Sequence, residues 1–344
     1  MPRYLRRCLP VALAIAVGIG CARPSTPTAG WERPRVAVED YDVSDARVLP
    51  PMWRELQPGP HGVGYRVLTL EDPSRSYRLH TEVAAHPRPI VAGVWYPARR
   101  NTGDALTLRD YFVLDGSGGF AKIISAYLQA VVVEAVFEGL PELLSEDEQG
   151  RLDHALGTAA MARRDAVLAA TEGPLLLAHP GLGGAYPDGM VLYEYLASHG
   201  WVVVAGLFQQ ARGNWINVDW DPSNSVQDLD LLRREVPRTL GYAPSVFASL
   251  GHSYGAQAAL VYASLPDRVQ AVVSLDSTMD RDPPWWKDDD HGPWLDRAGL
   301  IEVPALLFFQ AGKSRSFFDE IGAPRELVTV EGLAHNDFEG LAGA

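Results

Sequence analysis

Cysteine is nearly absent from this 344-residue sequence, with Cys8 and Cys21 as its two representatives. That rules out a disulfide framework as the source of stability. Long apolar runs are equally scarce. The stretch from Leu9 to Gly20 is too short to span a bilayer comfortably. Basic charge is in deficit, with 30 Lys and Arg against 43 Asp and Glu and a net charge of −13. Such an acidic body argues against a nucleic-acid partner and against electrostatic attraction to anionic lipid. Internal repeats and low-complexity tracts are missing too. What remains is 47 % hydrophobic and 21 % charged residues, an ordinary globular composition with enough apolar surface to bury a core.

Residues 1–21 read as an export signal, with Arg3, Arg6 and Arg7 ahead of the apolar run and Cys21 behind it. The end of the run, Gly18-Ile19-Gly20-Cys21, resembles the lipobox of bacterial lipoproteins and departs from it at Gly18. The resemblance implies lipidation of Cys21 and a protein held to a membrane of the bacterial cell envelope; soluble secretion is the alternative. Residues 22–61 read as a linker and N-terminal arm, of which Ala22 to Gly30 is Pro-, Ser-, Thr- and Ala-rich tether material that should not pack.

The folded body is expected over 62–344. Val63 to Leu70 and Arg88 to Pro97 are apolar runs bounded by Pro and Gly, read as antiparallel strands that open a sheet and form its first edge. Residues 104–171 interrupt the strand series. Within them Phe120 to Phe137 and Ser145 to Ala170 are Ala-rich and Gly-poor, with Ser145 and Glu148 as a capping box, and predict an inserted helical pair. It would cover either the site or merely the sheet, and the apolar stretch Ile123 to Val136 also suits a membrane-facing surface. From Pro174 onward short apolar runs alternate with helix-like stretches, the pattern of a parallel sheet wound with crossover helices. The runs are Leu175–Ala178, Val202–Gly206, Val246–Leu250, Val269–Leu275, Ala305–Phe309 and Glu326–Val330. The fold class is α/β, with a mostly parallel central sheet, an antiparallel N-terminal edge and an inserted helical segment.

Gly251-His-Ser-Tyr-Gly255 lies between the predicted strand Val246–Leu250 and the helix-like Ala256–Ser264. That is the setting of a nucleophile elbow, a sharp turn that lifts Ser253 Oγ above the sheet and needs glycine where backbones approach. A serine hydroxyl is a poor nucleophile until a base takes its proton, so a histidine held by a carboxylate must follow. His335 is the one histidine after the last predicted strand. For the acid, Asp276 directly follows a strand, while Asp319 and Asp280 are weaker alternatives. Two N–H donors are needed for the oxyanion, one from Tyr254 and one from the glycine loop His179-Pro-Gly-Leu-Gly-Gly184. That loop is an incomplete G-x-G-x-x-G, which counts against a dinucleotide. Asp288-Asp-Asp-His291 reads as a solvated acidic loop rather than a metal site, and no cofactor is expected.

At these residues the chain resembles the platelet-activating-factor acetylhydrolase group of α/β-hydrolases and the dienelactone-hydrolase-like bacterial esterases. Leu182-Gly183 through Leu196-Ala-Ser-His-Gly-Trp-Val-Val-Val204, the elbow, Ser274-Leu-Asp276 and His335-Asn-Asp-Phe338 carry the likeness. It implies the α/β-hydrolase fold, a Ser253–Asp276–His335 triad, an oxyanion hole from the N–H groups of Leu182 and Tyr254, and small-molecule or lipid esters with short acyl groups as substrates. The chain departs from the family at Phe208-Gln-Gln210 and in the longer stretch Arg281 to Gly299, where Trp285-Trp286 would line a pocket, dock on lipid or pack. An acyltransferase on the same acyl-enzyme and a non-catalytic envelope binding protein are the rival functions.

Overall fold

Central strand-forming runs such as Ile90–Ala98 and Val202–Leu207 are apolar and buried on both faces, which places them inside a sheet covered on two sides. The computed structural model describes Trp53 and residues 56–77, 86–114, 124–126, 128, 144–208, 222–277, 297–312 and 316–338. Among these residues ten strands form one sheet. They are β1 (Gly62–Tyr77), β2 (His86–Ala98), β3 (Asp104–Thr107), β4 (Ala159–Arg164), β5 (Glu172–His179), β6 (Val202–Leu207), β7 (Ala243–His252), β8 (Ala271–Leu275), β9 (Ala305–Gln310) and β10 (Arg325–Val330). The order across the sheet is β10-β9-β8-β7-β5-β6-β2-β1-β4-β3. Every neighbouring pair from β10 to β6 is parallel, and β2 joins antiparallel to both β6 and β1. Each apolar run read as a strand after Pro174 contains a strand or lies within one.

Strand β2 illustrates why both faces are covered. Successive side chains point to opposite faces. Ile90, Ala92, Val94 and Tyr96 pack with Leu229, Leu232 and Val236 of α3 (Ser223–Leu240) and with Leu260 of α4 (Tyr254–Ala263). Val91 and Trp95 pack on the other side with Met190, Tyr193 and Ala197 of α2 (Met190–Ser198). Each fully buried Leu or Val of these layers contributes on the order of 1.5–3 kcal/mol of transfer free energy.

The N-terminal half departs from expectation in two places. Strands β1 and β2 do not form the edge, because β4 pairs with β1 in parallel and β3 lies beyond it. Helix α1 (Glu146–Leu156) has the Ser145–Glu148 capping box, but it stops at Gly157, and Ala159–Arg164 is strand rather than helix. Ala, Met and Arg favour helix intrinsically; here β1 and β3 take up the backbone groups and Ala162 is buried, so tertiary pairing overrides propensity. Residues 124–126 and 128 are helical, with Ile124 and Leu128 buried; the rest of 120–137 lies outside the described residues, as does Cys21.

The end of the N-terminal arm packs. Trp53 is buried and donates Nε1–H to Glu194 of α2 at 2.8 Å. The same buried carboxylate accepts from Tyr111 Oη–H at 2.6 Å and from the N–H groups of Met161 and Ala162 at 2.9 and 3.0 Å. Arm, insertion and helix are thereby joined at one point. Among the described residues no helix is long and apolar enough to cross a membrane.

Candidate active site

The turn between β7 and α4 is built around backbone contacts that exclude side chains at two positions. A Cβ on Gly251 would stand 2.0 Å from the carbonyl oxygen of Gly255. One on Gly255 would stand 2.2 Å from the carbonyl oxygen of Pro180 and 2.3 Å from that of His179. Between them Ser253 takes φ 52° and ψ −119°, a strained conformation worth about 1–3 kcal/mol, held by its N–H donating to the Leu275 carbonyl at 3.0 Å. The serine therefore stands at the amino end of α4, with its side chain half-buried at the carboxyl edge of the sheet.

Strand β8 ends one residue before Asp276, which is fully buried and adopts φ 46°, a left-handed conformation that Asp tolerates better than most residues. Its N–H donates to Phe308 at 2.8 Å, and its Oδ1 accepts the N–H of Gln310 at 3.0 Å. Its Oδ2 is hydrogen-bonded to His335 Nδ1. A carboxylate only accepts, so Nδ1 carries the proton, and in the neutral ring Nε2 accepts from Ser253 Oγ–H at 2.8 Å. Ser253, His335 and Asp276 are thus brought together in one hydrogen-bonded chain. Asp319 instead closes the short helix α5 (Ser316–Asp319), and Asp280 lies outside the described residues.

The glycine loop after β5 lies against the elbow through the contacts that leave no room for a side chain at Gly255. Gly181 to Gly184 form a turn closed by a 3.0 Å bond, with Leu182 inside it and Gly183 at φ 75°. Tyr254 is the first residue of α4, where backbone N–H groups point out along the helix axis. The base of this loop is pinned by His179. Its Nδ1–H donates to the Pro180 carbonyl at 2.7 Å and its Nε2 accepts from Ser225 Oγ–H at 2.8 Å, a tautomer fixed by the carbonyl. Burial pushes its pKa down to about 4, so the ring is neutral near pH 7. Phe208, the first residue of the Phe208-Gln-Gln210 departure, is buried and stacks on that imidazole at 3.7 Å and 8°.

Two further residues lie at this edge, and the sequence singled out neither of them. His252, the variable residue of the elbow, donates Nε2–H to the carbonyl of His335 at 2.9 Å. Gln310 supplies its N–H to Asp276 and its Nε2–H to the Leu333 carbonyl at 3.0 Å. No group of three or more metal-binding side chains occurs among the described residues, and Trp285-Trp286 and Asp288 to His291 lie outside them.

No family model matches the chain, and no curated protein matches its sequence. Solved structures do resemble it. A ferulic acid esterase from Streptomyces cinnamoneus superposes with a TM-score of 0.52 at 19 % identity, over 80 % of this chain and 75 % of that one. A dienelactone hydrolase from Anabaena variabilis gives a TM-score of 0.41 at 13 % identity, over 80 % and 89 % of the two chains. The first of these, with the strand order and the elbow, defines the class: the chain has the α/β-hydrolase fold.

Proposed function

We propose that this chain is a serine hydrolase that cleaves carboxylic esters through an acyl-enzyme on Ser253. The observation that supports this reading most is the 2.8 Å bond from Ser253 Oγ–H to His335 Nε2, with Asp276 on the other ring nitrogen. In the first half-reaction Oγ attacks the ester carbonyl carbon while Nε2 takes its proton. The resulting oxyanion is held by the N–H groups of Leu182 and Tyr254, and the imidazolium then protonates the departing alkoxide. Water attacks the acyl-enzyme in the second half-reaction, giving its proton to Nε2, which returns a proton to Oγ. Asp276 stays ionised and stabilises the imidazolium in both halves.

Short acyl groups are the proposed substrates, on the likeness to the acetylhydrolase group, and Cys21 is the proposed lipid anchor. Turnover of p-nitrophenyl esters from acetyl to palmitoyl tests the first part. Activity should fall with acyl length and vanish in Ser253→Ala. Equal rates on acetyl and palmitoyl esters contradict the short-acyl proposal, and full activity in Ser253→Ala contradicts the nucleophile. Cys21→Ser should release the protein from bacterial membranes, and unchanged membrane association refutes the anchor.

A further inference from the structure

The segment that carries His335 has little packing to hold it. Residues 331–337 are exposed apart from His335 itself, which is half-buried, and the single turn His335–Phe338 buries no residue. Its internal bonds, Asp337 Oδ2 accepting the N–H of Ala334 at 2.5 Å and the N–H of Asp337 donating to Ala334 at 3.1 Å, shape the turn without locating it. Location comes from hydrogen bonds to other elements. The His335 ring is bonded to Asp276 and Ser253, Gln310 holds the carbonyl of Leu333, and His252 holds the carbonyl of His335 itself. His252 is buried, and its ring lies 4.7 Å from the His335 ring at a tilt of 39°. The carbonyl accepts, so His252 must carry its proton on Nε2.

His252 is also bonded through the chain to Ser253. A donor on the residue before the nucleophile therefore grips the backbone of the base, so one hydrogen bond and one peptide link connect the two reacting groups. Misplacement of such a group by about 1 Å costs on the order of a hundredfold in rate. We propose that His252 is a positioning residue, which ties the exposed histidine loop to the nucleophile turn and fixes Nε2 of His335 on Ser253 Oγ. The proposal rests on the reading of Ser253 and His335 as nucleophile and base.

Three substitutions test it in the full chain. His252→Phe fills the space without a donor. His252→Gln carries an amide N–H about as far as Nε2 does, and His252→Asn carries one that stops short. In His252→Phe the backbone amides of 333–338 should exchange hydrogen at least about tenfold faster than in wild type, with β7 and β8 unchanged. The kcat for p-nitrophenyl acetate should fall by about tenfold to a hundredfold while KM stays within about twofold. His252→Gln should restore exchange and kcat to within about threefold, and His252→Asn should not. The contrast of Gln with Asn decides the matter if the Phe variant does not fold. Wild-type-like exchange and kcat in His252→Phe or His252→Asn, or a Gln variant as defective as the Asn variant, overturn the proposal. An accelerated loop in a protein whose wild type hydrolyses no ester refutes the serine-hydrolase reading instead.

Discussion

Asp276→Asn changes one atom of the candidate site, and the surrounding bonds dictate how that atom is placed. Oδ1 of Asp276 accepts the N–H of Gln310 at 3.0 Å. An amide that kept this bond would put its carbonyl oxygen there and its NH₂ where Oδ2 now meets His335 Nδ1. A donor facing Nδ1 requires that nitrogen to accept, which moves the ring proton to Nε2, pointing at Ser253 Oγ at 2.8 Å. His335 would then donate at Nε2 and could not take the serine proton. The expected loss is about 10³- to 10⁴-fold in kcat, roughly 4–5.5 kcal/mol of transition-state stabilisation, with little change in substrate binding. Initial rates on a short-acyl nitrophenyl ester measure it, and a urea melt confirms that the variant is folded. A folded Asp276→Asn that retains more than about a tenth of wild-type kcat refutes the assignment of Asp276 and the tautomer argument with it.

Two other perturbations probe the parts that hold the site in place. Gly255→Ala would put a methyl carbon 2.2 Å from the Pro180 carbonyl oxygen and 2.3 Å from that of His179, and both of these oxygens are backbone, so the glycine loop must move or the fold must weaken. A loss of at least about 2 kcal/mol in urea unfolding, or a drop in kcat of at least about tenfold if the loop yields, is expected, and a variant unchanged in both contradicts the contact. His179 is neutral in the fold because burial pushes its pKa to about 4, whereas an unfolded histidine titrates near 6.5. The unfolded chain binds the extra proton, so stability is full above about pH 6.5 and is lost as pH falls toward 4, by roughly 3 kcal/mol from this group. Urea unfolding between pH 7.5 and 4.5 should show a weaker pH dependence in His179→Gln than in wild type, and identical slopes refute the account.

The site was legible where chemistry and local pattern coincide. Gly251 to Gly255 declared the elbow because an apolar strand runs into it and an Ala-rich helix out of it, and Asp276 was readable as the polar residue that ends an apolar run. The tethers of the site were not legible. That His252 meets the carbonyl of His335, or that Gln310 serves Asp276 with its N–H and Leu333 with its side chain, depends on the register of strands far apart in sequence. The strand Ala159–Arg164 was not legible for a related reason: its own residues favour helix, and pairing with β1 and β3 makes it a strand. Gly157, which ends α1, was the one local hint. Phe208 marked a departure from the resembling family, yet its stacking on His179 needed β5 and β6 side by side.

Activation of Ser253 Oγ by His335 should make that serine reactive toward electrophiles that carry no substrate features. Incubation with a fluorophosphonate probe, followed by mass-spectrometric mapping of the adduct, tests it without knowledge of the substrate. A single covalent adduct on Ser253 is expected in the wild-type protein, none in Ser253→Ala, and much slower labelling in His335→Ala. A folded wild-type protein that remains unlabelled, or is labelled at another residue, contradicts that activation.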